Sequence, residues 1–296
     1  MKIELTQEHT FTARAGAYTV HGLRRADQWE GLTKLVDLSE RFLIVSDNDG
    51  IVVKGTPALL RDLRLTASTD LFVTVPETTL PTGQVVPSFQ VGQYHCGSDG
   101  DSIAIRSDLV PLVRVNYRDA KTRCVDAGYQ LITERQCLAI AVDIAGQDIN
   151  WTGGKVGHGA IYQGLHLGTV SAPQAGTYEP DDNERRWHQL SNGARIYDFA
   201  GNMFSWVYDD VQGDAEGLVS AAIEKDSPSL ASAPYPSEQK GMGYIPRGPL
   251  KWSGNALFRG GCWCSGGFAG VFRLGDGWPG SARDSVGFRC TKPIGL

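Results

Sequence analysis

Glycine sets the outer limits of this chain, at 36 of 296 residues. Glycine loses more backbone freedom on ordering than any other residue, so this content favours turns and irregular backbone over long helices. Regular structure is then expected only where caps and periodicity agree. Asn116 is placed to cap a helix running to about Ala127, with Gly128 in the C-terminal position. Ala120 and Cys124 lie four apart on one face of it, and Val125 is expected to extend that face. Thr133-Glu134-Arg135-Gln136 reads as a capping box for a second helix that points Leu138, Ala141, Val142 and Ile144 inward and stops near Gly146. Beyond Trp151 the texture turns irregular and rich in Gly and Trp, with short strands expected at 195–199, 204–208, 256–259 and 286–289. Residues 209–250 read as a long polar insertion. Two helices followed by Gly-rich loops and short strands predict an α+β domain.

The first 87 residues have a different character. Phe42-Leu43-Ile44-Val45 and Ile51-Val52-Val53 flank Ser46-Asp47-Asn48-Asp49-Gly50, a hairpin signal, and Leu71–Val75 reads as a further strand. The acidic turn lacks the ligand spacing and closing Glu of an EF-hand. Pro76, Thr78, Thr79, Pro81, Thr82, Gly83 and Pro87 suggest a linker. The expected organisation is a β-rich assembly or attachment domain over 1–87 and a second domain over 88–296.

Charge and hydropathy exclude several classes. A net charge of −5 provides no basic footprint for nucleic acid. No apolar run approaches the roughly 20 residues of a bilayer span, so no membrane insertion is expected. The N-terminal Met1-Lys2-Ile3-Glu4-Leu5 carries an acid where a signal peptide would be apolar, so synthesis in the cytoplasm is expected, with release in a phage virion or display by a Sec-independent route left open. The cysteines are Cys96, Cys124, Cys137, Cys262, Cys264 and Cys290. Only Cys262 and Cys264 are close, and no His completes a zinc site, so free and mostly buried thiols are expected.

Other chemistry-bearing patterns are weak. Gly153-Gly154-Lys155-Val156-Gly157 does not have phosphate-loop spacing. His158, His166 and His188 lack metal spacing and read as loop or surface residues. Asp181-Asp182-Asn183-Glu184 could hold a structural calcium, but a solvated acidic turn followed by Arg185 and Arg186 is the simpler reading. No cofactor is expected beyond that calcium. There is no nucleophile elbow.

Three ordered segments resemble the formylglycine-generating-enzyme (sulfatase-modifying factor) family. They are Val115-Asn116-Tyr117-Arg118-Asp119-Ala120 with Ala127-Gly128-Tyr129-Gln130-Leu131-Ile132-Thr133-Glu134; Ile196-Tyr197-Asp198-Phe199-Ala200-Gly201-Asn202-Met203-Phe204-Ser205-Trp206-Val207; and Leu257-Phe258-Arg259-Gly260-Gly261-Cys262-Trp263 closed by Val286-Gly287-Phe288-Arg289-Cys290. The resemblance covers about residues 88–296 and implies a C-type-lectin-like fold of two helices, short antiparallel strands and long loops. Family enzymes oxidise a substrate cysteine with a C-x-x-x-x-C pair shortly after R-G-G. Here Cys264 stands near the first position, Ala269 stands five residues on, and no other Cys occurs before Cys290. The sulfoxide-synthase relatives need a histidine cluster that is not recognisable either.

A narrower resemblance is to the variable proteins of diversity-generating retroelements, carried by Ala256–Leu274 with its Ala269-Gly270-Val271-Phe272 tetrad. It implies a variable region over about 256–290. Adenine-directed mutagenesis there can create Asn, Tyr, Ser, Asp, Gly, Arg, Cys and Phe, but not Lys, Glu, Gln, Met or Trp. From Ser253 to Thr291 the chain has no Lys, Glu, Gln or Met, where chain-wide frequency would place roughly four or five. The resemblance divides the segment. Trp263, Trp278, Ala269, Gly270, Val271, Phe272 and Leu274 are expected to be fixed and packed. Phe258, Cys262, Cys264, Gly267, Phe268, Arg273, Gly275, Asp276, Ser281, Arg283, Asp284 and Ser285 are expected to form the display set. The expected function is non-enzymatic binding of a macromolecular ligand, a cell-surface protein or glycan, with homo-oligomers favoured by avidity. An oxidase acting on a cysteine or thiol is the runner-up, and a calcium-dependent sugar-binding lectin the third reading.

Overall fold

The two helix caps form as their residues predict. Asn116 is extended and its side chain accepts a hydrogen bond from the Asp119 amide; helix α1 follows over Tyr117–Asp126 and ends at Ala127, with Gly128 at φ 79°. The Thr133 hydroxyl accepts from the Gln136 amide while the Gln136 side chain accepts from the Thr133 amide, closing the box ahead of helix α2, Glu134–Ala145. Each cap is worth about 1 kcal/mol. Helix α1 buries Tyr117, Ala120 and Cys124, whereas Val125 is exposed, one residue round from the stripe it was expected to extend. Helix α2 is buried on most of its circumference, with Cys137, Leu138, Ala139, Ile140, Ala141 and Ile144 all inside. A helix apolar nearly all round belongs in the middle of a core rather than on its rim.

The computed structural model describes residues 70–100 and 102–293 and, nearer the N-terminus, six strands. These are β1 (Ile3–Gln7), β2 (Thr10–Ala15), β3 (Tyr18–Leu23), β4 (Leu43–Asp47), β5 (Gly50–Lys54) and β6 (Leu63–Ala67). Strands β1, β2, β3 and β6 form one antiparallel sheet, and β4 and β5 form the hairpin read from the sequence, with Asp47 paired to Gly50. The remaining turn and linking residues of that region lie outside the described residues.

The expected linker is not one. Strand β7 (Phe72–Val75) is followed by a small hairpin of β8 (Thr78–Thr79) and β9 (Val85–Val86) and then by β10 (Phe89–Gly92). Val75, Leu80 and Val86 are buried in the same cluster as α2, and β7 pairs along β10 from Phe72↔Gly92 to Val75↔Phe89. Pro and Thr here shape a turn whose apolar residues point inward. Residues 72–86 therefore pack with the chain that follows residue 87 and are not a spacer ahead of it.

Short strands carry the rest. Strands β11 (Gly97–Asp99) and β12 (Ser102–Ala104) form a hairpin, as do β14 (Trp187–Gln189) and β15 (Arg195–Tyr197). Strand β13 (Gln130–Leu131) and the C-terminal β20 (Cys290–Pro293) join β10 and β7 in a sheet ordered β13-β20-β10-β7. The second sheet is ordered β18-β17-β16-β19, from β16 (Phe204–Val207), β17 (Ala256–Gly260), β18 (Gly270–Gly277) and β19 (Val286–Phe288); β16 and β19 run parallel and the other pairs antiparallel. The eight-residue β18 was not anticipated, because its Gly270, Gly275 and Gly277 mask a strand pattern. The 209–250 insertion is less polar in place than its composition suggests: Val219, Ile223, Met242 and Leu250 enter the core, and a short helix α3 spans Pro228–Ala231. The result is α+β, as read.

Because β7 and the β8–β9 hairpin are part of the core, a chain beginning at residue 88 loses three buried apolar side chains and a sheet strand. It is expected to aggregate or unfold at markedly lower denaturant, while a chain beginning at residue 68 keeps the full-length midpoint. Size-exclusion chromatography and denaturant titration of the two fragments check this. Equal stability of both would put the boundary back at 87.

Candidate functional site

The C-terminal sheet is held by arginines. Arg259, on β17, is 3% exposed and donates through Nε to Glu134 Oε2 at 2.7 Å and through Nη2 to Glu134 Oε1. Its Nη1 donates to the Phe272 carbonyl at 3.0 Å and Nη2 also reaches the Ser229 carbonyl at 3.2 Å. Arg289 is 1% exposed and has backbone acceptors instead, the carbonyls of Gly92 and Tyr197, each at 2.6 Å. Burial pushes its guanidinium down to about 10. A third buried arginine, Arg186, forms a two-point pair with Asp198 at 2.8 and 2.6 Å; Asn202 Nδ2 also donates to Asp198 at 3.0 Å. Arg186 was expected on a solvated turn, but it is needed inside to satisfy Asp198 and the carbonyls of Gln174, Ala175 and Tyr178.

The neighbouring acidic turn and histidines also turn inward. Glu184 is buried and accepts from the amides of His166 and Leu167 and from the Thr169 hydroxyl, so its oxygens staple a loop. Among the described residues no group of three or more His, Cys, Asp or Glu is arranged to hold a metal ion. His166 and His188 are buried rather than at the surface, while His158 is exposed. His188 Nε2 lies 2.8 Å from the Tyr162 carbonyl, which makes it the donor and leaves Nδ1 unprotonated. Burial pushes His188 down to about 4. His95, 2.8 Å from the Ser205 hydroxyl, is held well below the usual histidine range by burial and by the Arg289 and Arg186 charges.

Above this frame the expected display set divides. Phe258 is buried in β17 against Phe204 and Trp206, with ring centroids 4.8 and 5.8 Å away. Gly275 is buried too, and a Cβ there would come within 2.3 Å of the Phe258 ring. Cys262 is 5% exposed and packs with Leu165 and Trp263. These three are buried and not at the surface: Phe258 and Gly275 lie in the paired strands β17 and β18, and Cys262 in the turn that follows β17. Asp276 is half-buried and accepts from Asn255 Nδ2 at 2.6 Å. Cys264, Gly267, Phe268, Arg283 and Asp284 are exposed, and Arg273, Ser281 and Ser285 are half-buried. Of the positions expected to be packed, Trp263, Ala269, Gly270, Val271, Phe272 and Leu274 are buried, but Trp278 is 62% exposed. Strand β18 ends at Gly277, and Trp278 opens the following loop with its indole close to Gly280.

The exposed residues form two neighbouring groups. In the first, Arg273 lies 4.8 Å from the Tyr244 ring centroid and 5.7 Å from that of Phe204, and Phe268 meets Tyr244 edge-on at 5.9 Å. The second is the 278–285 loop, where the Ser285 carbonyl accepts from the Phe204 amide and the Arg283 carbonyl from the Arg114 amide. Phe204 therefore touches both groups. Tyr244 and Gln163, whose Nε2 donates to the carbonyls of Gly267 and Ala269 at 3.2 and 2.5 Å, were not anticipated. No motif marks them. Met242–Tyr244 runs beside β18, with Phe272 N donating to Met242 O, Leu274 N to Tyr244 O, and Tyr244 N to Phe268 O.

A family model described as the sulfatase-modifying factor enzyme 1-like domain matches residues 81–294. The chain belongs to this family. A solved structure of PvdO from Pseudomonas aeruginosa is similar at 13% identity and a TM-score of 0.38, covering 77% of this chain and 93% of that one. Treponema denticola variable protein 1 is similar at 13% identity and a TM-score of 0.41, covering 76% and 94%. The Major Tropism Determinant M1 variant is similar at 14% identity and a TM-score of 0.39, covering 98% and 82%. No curated protein matches. The sulfatase-modifying factor motifs thus fall on the buried arginine frame, with Arg259 in R-G-G, Arg289 in G-F-R, and Asp198 with Asn202 in the middle motif. Gly260 and Gly261 sit at φ 97° and 112°, backbone that a side chain would strain, which is what R-G-G supplies beyond its arginine.

Two measurements follow. Trp263→Ala is expected to cost about 3–5 kcal/mol, whereas Trp278→Ala and a triple Ser variant at Phe268, Arg283 and Asp284 are expected to change stability by about 0.5 kcal/mol or less per site. Denaturation midpoints compare them, and a triple variant as unstable as Trp263→Ala would make the exposed set structural. For pH, the folded state holds His95 and His188 neutral below the pH where an unfolded histidine takes up a proton, about 6.5. Unfolding then binds protons, so stability is greatest above pH 6.5 and falls as pH drops toward 4, by about 1.4 kcal/mol per pH unit for each histidine. His188→Asn is expected to flatten that slope in unfolding titrations between pH 7 and 5; an unchanged slope would exclude His188.

Proposed function

We propose that this chain is a non-enzymatic binding protein that presents a retroelement-diversified surface on the sulfatase-modifying factor scaffold. The observation that carries the reading is the segregation within 256–290. The motif residues Arg259, Trp263, Val271, Phe272 and Arg289 are buried, while Cys264, Gly267, Phe268, Arg283 and Asp284 face outward with half-buried Arg273. Each of those outward residues belongs to the set that adenine-directed mutagenesis can produce. An exposed aromatic beside an arginine suits a macromolecular ligand, because aromatic and Arg side chains dominate interface hot spots. A cell-surface protein or glycan is the ligand class proposed, and copies of the chain in one assembly would add avidity.

The oxidase reading has less support. The position five residues after Cys264 is Ala269, a buried residue with no thiol, so the C-x-x-x-x-C pair of the family's enzymes is not present there. Incubation with copper, oxygen, a thiol reductant and a cysteine-containing sulfatase peptide is expected to leave the cysteine unconverted by mass spectrometry. Formylglycine at enzymatic rates would replace the binding reading with the oxidase one. In the encoding DNA, a near-copy of the 3′ segment differing at adenines, beside a reverse transcriptase gene, is the expected companion observation.

A further inference from the structure

Two groups of thiols lie within contact distance in this protein, and they differ in access. Cys290 Sγ is 3.2 Å from Cys96 Sγ and 3.1 Å from Cys124 Sγ, and all three residues have no exposed surface. Cys262 Sγ is 3.2 Å from Cys264 Sγ, and Cys264 is exposed. The second pair spans a single turn. The Ser265 amide donates to the Cys262 carbonyl at 3.0 Å, and the Ser265 hydroxyl accepts from the Cys262 amide at 2.9 Å while touching the Cys262 sulfur at 3.2 Å. Those bonds fix Cys262 in the turn, and its sulfur lies beside that of Cys264 at the rim of the exposed surface, the one residue buried and the other exposed.

We propose that Cys262 and Cys264 are a redox modification site, a dithiol that a hydroperoxide closes to an intramolecular disulfide at the edge of the 264–268 turn. The exposed Cys264 sulfur, as thiolate, attacks the proximal peroxide oxygen. The O–O bond breaks, and the distal oxygen leaves as alkoxide or hydroxide and takes up a proton. The resulting Cys264 sulfenic acid is attacked by Cys262; the S–O bond breaks, the S–S bond forms, and water leaves with the Cys262 proton. Two thiols lose two electrons, and the peroxide is reduced to an alcohol and water, or to two waters for hydrogen peroxide. Cys262 is the resolving partner because its sulfur is the one already in contact. Partial burial of the Cys264 sulfur, its contact with Cys262 and the Asp284 carboxylate push the Cys264 thiol up to about 11. The pair therefore rests as the dithiol at neutral pH and reacts faster as pH rises. The proposal is independent of what the surface binds.

The test uses the full folded chain, hydrogen peroxide as the oxidant, and alkylation under denaturing conditions afterwards. Trypsin cuts after Arg259 and Arg273, so both cysteines fall in one peptide. That peptide is expected to lose about 2 Da and to escape alkylation, with dithiothreitol restoring it, while the peptides of Cys96, Cys124 and Cys290 alkylate fully. The loss is expected to speed up about tenfold from pH 7 to 8. Cys264→Ser, at an exposed position that the fold does not depend on, is expected to leave Cys262 reduced at least tenfold longer. Cys262→Ser is expected to stop at a trappable sulfenic acid on Cys264. Three outcomes overturn the proposal: the sealed cysteines oxidise as fast as this pair; Cys264 ends as sulfinic acid in the unaltered chain with Cys262 still reduced; or Cys264→Ser leaves the Cys262 loss rate unchanged.

Discussion

The buried pair between Glu134 and Arg259 organises this molecule. One partner begins helix α2 and the other sits near the end of β17, 125 residues away. Desolvating both charges costs several kcal/mol per ion, and only good geometry with every donor used offsets that cost. Here the guanidinium also reaches carbonyls of β18 and α3, so one side chain joins helix, sheet and insertion. Removing either partner would leave an uncompensated charge in the core, which is far worse than losing an ordinary contact. Arg289 plays the matching part toward the other sheet with backbone carbonyls as its acceptors. A fold with so little ladder structure relies on such side-chain donors to satisfy carbonyls that have no strand partner.

This explains what was readable from residues alone. The caps at Asn116 and Thr133 are local chemistry within four residues, and both helices form within a residue of expectation. The motif segments around Asp198, Arg259 and Arg289 were legible as scaffold. Their partners were not, because Arg186, Glu184 and His188 find theirs across distances that no local pattern encodes. Arg186 and Glu184 looked like a wet acidic-basic turn by composition. The Pro- and Thr-rich stretch misled in the same way: Leu80 and Val86 are inconspicuous among turn residues, yet they pack under α2.

At the exposed surface, a division by residue type does not see burial. Phe258, Cys262 and Gly275 were expected at the surface, but all three are buried, two in the β17–β18 pair and Cys262 in the turn after β17. Trp278 was expected to be packed, yet it is exposed, because β18 ends one residue before it. Tyr244 comes from an insertion with no motif and was out of reach of any reading confined to the C-terminal segment.

The strip Met242–Tyr244 has one more consequence. Strand β18 is the last strand of its sheet, and an uncovered last strand offers unpaired amides and carbonyls to any passing chain. The strip occupies part of that row with two backbone hydrogen bonds, and Gly270 lies so close to Gly243 that a Cβ would come within 2.2 Å of its amide. Substitutions at Phe268 or Arg273 change what the neighbouring surface presents without uncovering that row. Apolar or sticky side chains at the tip are in this way not joined to a bare strand that would seed aggregation.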